Sequence, residues 1–180
     1  GGILSPILQA NMAANQKIID SGLPLTIQNG GHIFTQQFWD NFLCMSGAGI
    51  VIGLVIYITF FAKSKSLRSL GKLSIVPNIF NINEPIIFGT PIVLNPILSI
   101  PFLIMPCLSA GLGYLVQSMG LVSLGYIVDP SFTPFFAQGF LSALDIRNVI
   151  FMFVLIALSV VVYYPFFKVY EKNTLEHEGE

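Results

Sequence analysis

Asn81-Ile82-Asn83-Glu84-Pro85-Ile86-Ile87-Phe88-Gly89-Thr90-Pro91 is the stretch whose reading decides the fold. Between Leu73 and Val128, Glu84 is the only charged residue, in a run otherwise dominated by Ile, Leu, Val, Phe, Gly and Pro. An ionised carboxylate at the centre of a membrane helix costs about 2.5–3.5 kcal/mol even on lenient insertion scales, so such a residue marks a functional site. The same run holds Pro77, Pro85, Pro91, Pro96, Pro101 and Pro106. Each removes an N–H donor and crowds the preceding turn, which predicts that no unbroken helix passes through. Irregular backbone at membrane depth survives only where protein buries it or where it lines a wet cavity. Glu84 is therefore expected to face a polar cavity.

Working outward, 54% hydrophobic and 9% charged residues place the chain among membrane proteins. Residues 41–62, fenced by Asp40 and Lys63, carry no charge and would make about 33 Å of helix, enough to cross a bilayer. Gly47, Gly49 and Gly53 form a small-residue face on that span that would admit a neighbouring helix. Trp39 just ahead of it fits an interfacial anchor. A second span is expected at 97–118, kinked by Pro101 and Pro106. The third lies at 148–167, with Tyr163, Tyr164 and Tyr170 at its basic end as an aromatic belt. Residues 3–19 have helical spacing but are too polar to span, residues 20–31 carry turn chemistry, and the charged tail within 168–180 is expected to be disordered.

Lys63, Lys65, Arg68 and Lys72 form one basic cluster, read as a loop, and Lys168 and Lys172 form another. If both are cytoplasmic, an even number of crossings separates them. The spans at 97–118 and 148–167 already make two, so 73–96 is predicted to enter and leave on one side as a re-entrant hairpin, unless 119–147 also crosses. That segment, broken by Asp129-Pro130, Pro134 and Gly139, can itself dip into the membrane. The expected fold is thus an all-α, polytopic integral membrane protein with transmembrane helices and one or two re-entrant hairpins. Net charge −1 gives no sign of a nucleic-acid partner, and Cys44 and Cys107, both in apolar surroundings, read as inert thiols and not as a metal site or disulfide framework. No cofactor-binding or metal-binding pattern is present in the sequence. The beginning Gly1-Gly2, without an initiator Met, suggests part of a longer chain.

The carboxylate of Glu84 suits short, charge-assisted hydrogen bonds from the hydroxyls of a polar solute, assisted by the amides of Asn81 and Asn83 and by backbone groups freed at Pro85 and Gly89. Three other readings compete with this one. Glu84 could cap its own hairpin, serve as the proton site of an ion-coupled secondary transporter, or belong to a scaffold that moves nothing.

The motif at 81–89, followed by Pro91 and Asn95-Pro96, resembles the signature of the membrane subunit (enzyme IIC) of the lactose/cellobiose/chitobiose family of the bacterial sugar phosphotransferase system. Ser46-Gly47-Ala48-Gly49, and the stretch from Phe132-Thr133-Pro134 through Gly139 to Asp145-Ile146-Arg147, are similar to that family in order and spacing. The resemblance implies the C-terminal, sugar-binding part of a permease in the bacterial cytoplasmic membrane, working as a homodimer when full-length. It implies that Glu84 lies beside the sugar, with a family histidine falling just ahead of Gly1; His32 is a poor substitute. Phe132 stands where the family tends to carry tryptophan, and its ring can stack on a pyranose but lacks the indole N–H. The resemblance further implies binding of a β-linked disaccharide of cellobiose, chitobiose or lactose type, its passage inward, and its phosphorylation by a phosphocysteine on a separate IIB protein. Glu84 is then a candidate weak base toward the acceptor hydroxyl.

Overall fold

A computed structural model describes residues 2–128, 130 and 133–179, all helix, turn and loop, with no strand among them; Phe132 lies outside the described residues. Helix α1 (Leu4–Asp20) buries Met12 and Asn15. The Asn15 side chain docks the helix, donating to the carbonyls of His32 and Gly125 at 2.9 Å and accepting from the His32 N–H at 2.8 Å. A loop with one 3₁₀ turn (Ile27–Asn29) follows, as the turn chemistry predicts.

The uninterrupted 41–62 helix is not what forms. Helix α2 (Gln36–Phe38) runs on into a π-turn (Trp39–Leu43), and α3 (Ile52–Ile56) into another (Tyr57–Phe61), with the two limbs bent by 50°. Between them Ser46, Gly47, Gly49 and Ile50 all take positive φ, at 56°, 87°, 78° and 50°. Right-handed helix cannot continue through such residues. The carbonyls this frees are met by α8 (Ile146–Glu178): Tyr163 Oη donates to Gly49 O at 2.8 Å and Ser159 Oγ to Ile50 O at 2.7 Å. Gly53, on α3, does act as the small-residue face, since a Cβ there would come within 2.5 Å of the Ser159 backbone.

The basic cluster is not a loop either. Ser64 caps α4 (Lys65–Ile79), its Oγ accepting from the Leu67 N–H at 3.3 Å. Lys65, Arg68 and Lys72 are exposed, while Leu67, Gly71, Ser74 and Asn78 turn inward. After a turn at 80–83, α5 (Glu84–Gly89) comes back along α4, with Gly89 set against the Leu70 side chain. Residues 65–94 are thus a helical hairpin with its tip at 80–83. Helix α6 (Pro96–Ser118) contains both Pro101 and Pro106, and its start is capped by Asn95. Among the described residues between α6 and α8 the helix is α7 (Phe135–Leu141), about 10 Å long and too short to cross; the Tyr126 and Ile127 N–H groups donate to Ser142 O, so the segment folds back on itself as a second hairpin.

Helix α8 continues to Glu178, so the tail expected to be disordered is helical as far as the described residues run. The reason lies at the start of α4, where the first N–H groups have no partner within their own helix. Glu171, buried on α8, accepts from the backbone N–H of Lys63 and of Ser64, and Glu178 accepts from the hydroxyls of Ser64 and Ser66. Helices α6 and α8 are long and apolar enough to cross a membrane, and the bent pair makes a third span if counted as one. The core between them holds Phe42, Ile50, Leu54, Ile58, Met105, Leu155 and Tyr163.

Candidate functional site

The tip of the first hairpin carries Asn78, Asn81 and Asn83, and all three amides reach across to other broken segments. Asn81 Oδ1 accepts from the Ser46 N–H at 2.8 Å, and Asn78 Nδ2 donates to Ser46 O at 3.0 Å. Asn83 Nδ2 donates to Ala48 O at 2.7 Å. The other side of Asn81 is tied to the second hairpin, with Nδ2 donating to Thr133 O at 3.1 Å and to Gln138 Oε1 at 2.8 Å. Gly47 makes this possible, because a Cβ on it would collide with the Asn83 side chain. Asn81 also adopts φ 63°, a left-handed conformation that asparagine tolerates better than most residues. Three irregular stretches, at 46–50, 80–83 and 133–134 just ahead of α7, therefore meet at one point and satisfy one another, with Gln138 joining from α7 itself. Unpaired backbone polar groups away from water cost too much to persist singly, and here each break supplies partners for the next.

One turn position beyond this knot sits Glu84, the first residue of α5. Among the described residues its carboxylate has no hydrogen-bond or ion-pair partner, so it does not cap its own hairpin. It is exposed on the surface of the described chain and not enclosed in a cavity, contrary to the expectation from sequence. The structure thus separates the three residues predicted to act together. Both N–H bonds of Asn81 Nδ2 are committed and its Oδ1 has one lone pair left. Asn83 retains one N–H and its carbonyl; Glu84 is wholly uncommitted. Phe132, the fourth predicted contact, lies outside the described residues.

His32 serves α1 through its backbone, Trp39 is partly exposed at the start of the broken span, Cys107 is exposed on α6, and Cys44 is half-buried. Among the described residues no group of His, Cys, Asp and Glu is arranged to hold a metal ion. Sequence reasoning missed Asn78, Gln138 and Ser159, saw Ser46 only as part of the family motif, and placed Tyr163 in an interfacial belt, whereas it is buried in the core with its hydroxyl on Gly49 O. The available signal was polar side chains in uncharged runs, although their partners lie from 32 to 114 positions away in the chain.

Re-entrant hairpins closing on a broken helix, between helices long enough to cross, define a polytopic integral membrane protein with irregular backbone at its centre. Comparison with known proteins agrees. Residues 1–106 match the family Phosphotransferase system, EIIC. The chain is 40% identical to the lichenan permease IIC component of Bacillus subtilis (strain 168) over all of its own length and 39% of that protein's. It is 36% identical to a cellobiose-specific EIIC component of Geobacillus stearothermophilus, over 99% of this chain and 39% of the relative. The crystal structure of ChbC, the IIC component from the N,N'-diacetylchitobiose-specific phosphotransferase system, superposes with a TM-score of 0.93 at 37% identity, covering 99% of this chain and 41% of ChbC. The chain belongs to the EIIC family of the phosphotransferase system, whose members are multi-pass proteins of the bacterial cytoplasmic membrane. It spans about two-fifths of the length of these relatives.

Proposed function

We propose that the chain is the sugar-binding part of a permease that takes up a β-linked disaccharide of cellobiose, chitobiose or lactose type and presents it to a phosphorylated IIB protein. The observation that carries this reading is the Glu84 carboxylate, free of internal partners yet fixed in position by the knot at Asn78, Asn81 and Asn83. A donor-rich solute such as a sugar completes it with charge-assisted hydrogen bonds. Asn83, with an N–H and a carbonyl to offer, is the second contact. Asn81 contributes through its remaining lone pair and mainly by holding the tip, and Phe132 offers a ring for the pyranose face. The wall facing Glu84 comes from the part of the permease that lies outside this chain, which also supports the homodimer. The relatives' printed names, for lichenan, cellobiose and N,N'-diacetylchitobiose, favour a β-linked saccharide as substrate. The phosphoryl group arrives on the IIB partner, and Glu84 polarises the acceptor hydroxyl as a weak base.

The test is made on the complete permease. Glu84→Gln should weaken cellobiose or chitobiose binding by more than about 1 kcal/mol, the scale of a hydrogen bond to a charged group, while leaving the fold intact. Accumulation should require phosphorylated IIB and yield sugar phosphate. Unchanged affinity in Glu84→Gln would remove the proposed contact, and uptake that follows a proton gradient without IIB would make Glu84 a proton site instead.

A further inference from the structure

A cavity of about 320 Å³ lies at the other end of the molecule, between the 25–28 loop, the end of α6 and the start of α8. It is separated from the Glu171 clamp on Lys63 by the length of α8 from Arg147, about 36 Å, so it opens on the face away from both basic clusters. Its volume is within the ordinary range for small-molecule sites. One wall is apolar, with Leu25 and Val122; another is polar, with Gln28, Gln117, Ser123 and Arg147.

The charges in this wall cancel. Arg147 donates to Asp145 through Nε at 2.9 Å and Nη2 at 2.7 Å, and also to Gly120 O and Ser123 Oγ at 3.2 Å. The guanidinium is therefore committed to a carboxylate and offers little to an anion. Gln117 is 2% exposed; its Nε2 donates to Gln37 Oε1 at 3.3 Å and Ser123 O at 3.1 Å, which fixes the amide's orientation and leaves Oε1 without a partner. The Gln28 side chain is exposed and makes no hydrogen bond among the described residues. The Ser123 hydroxyl is itself committed, donating to Asp145 and accepting from Arg147, so what this neutral wall offers is the Gln28 amide, the Gln117 carbonyl and the Thr26 hydroxyl beside aliphatic surface, which matches a pyranose with its hydroxyl edge and C–H face.

We propose that this cavity is a second sugar-binding site, which takes a neutral glycoside at the face opposite the basic clusters before it reaches Glu84. The proposal rests on the sugar-permease reading above, and it adds a first station on the outer side. It is tested in right-side-out vesicles holding the complete permease with Gln28→Cys, labelled from outside by a membrane-impermeant maleimide; labelling of Cys44 and Cys107 is subtracted using the chain without that substitution. Cellobiose or chitobiose should slow labelling at least threefold where equal sorbitol does not, and this protection should persist when Glu84→Gln is added. Gln117→Leu should reduce the protection. Because Gln117 also ties α6 to Gln37, Leu25→Trp, which fills the cavity from the loop, should abolish the protection without touching that tie. Labelling that ignores sugar, protection lost with Glu84→Gln, protection unaffected by Leu25→Trp, or labelling only from the cytoplasmic side would each overturn the proposal. Sugar uptake by the unsubstituted permease in the same vesicles tests the functional reading separately.

Discussion

Asn81 is the residue on which both hairpins and the broken helix converge, and its replacement can be worked out bond by bond. Asn81→Gly removes an acceptor from the Ser46 N–H and donors from Thr133 O and Gln138 Oε1, but keeps a backbone at ease with φ 63°. At about 0.5–1.5 kcal/mol net for each of these hydrogen bonds, with the Ser46 N–H left stranded, the loss is about 2–4 kcal/mol. Asn81→Ala loses the same bonds and must also hold a left-handed conformation, which adds about 1 kcal/mol. The assay is unfolding of the complete permease in mixed micelles, with hydrogen exchange at Ser46 as a local readout. The expected order of stability is wild type, then Gly, then Ala, with Ser46 losing protection in both variants. Sugar affinity should fall with them, because Glu84 is placed by the tip. An Asn81→Gly protein within about 0.5 kcal/mol of wild type would refute the claim that this amide ties the three breaks together, since even one lost bond should cost that much.

Other tests address the rest of the frame. Glu171→Ala should cost about 1–3 kcal/mol by stranding the Lys63 and Ser64 N–H groups, and Glu171→Gln less; unchanged exchange protection at the start of α4 would show that the clamp is dispensable. Gly53→Ala should destabilise by about 1–3 kcal/mol through overpacking against Ser159, whereas Gly111→Ala, with open space around it, should be neutral or slightly stabilising; equal thermal shifts in the two would contradict the close approach of α3 to α8. The carboxyl of Asp145 is held down to about 2 by the hydrogen bond from Arg147, with a smaller contribution from Ser123. Its folded value lies below the unfolded one, so its stabilisation is present above about pH 4 and lost as pH falls toward 2. Melting curves of Asp145→Asn across that window should be flatter than those of the wild type, and parallel curves would argue against the pair.

Much of the architecture was legible in the sequence because hydrophobic runs and proline positions act locally. The uncharged stretches at 97–118 and 148–167 reappear within α6 and α8, while the proline-rich 73–96 run overlaps a hairpin that begins earlier, at Lys65, and ends before Asn95-Pro96, where α6 starts. Glu84 stood out because its charge interrupts an apolar run, a property of the sequence alone. The break at 46–50 did not stand out, since Ser, Gly, Ala and Ile all belong in a membrane helix. What makes left-handed backbone tolerable there is the set of Asn78, Asn81, Asn83, Ser159 and Tyr163, brought in from distant positions. The helical tail has the same origin. Its charged composition reads as solvated chain until Glu171 meets the unpaired N–H groups at Lys63 and Ser64.

The sequence by itself determined that an oily, proline-broken chain would hold one isolated acid within its membrane part, because charge and helix-breaking are properties of single residues. Only the tertiary structure decided which polar groups hold that acid in place and which are left to meet a solute. Hydrogen-bond satisfaction is a matter of which segments meet, and residues far apart in the chain settle it.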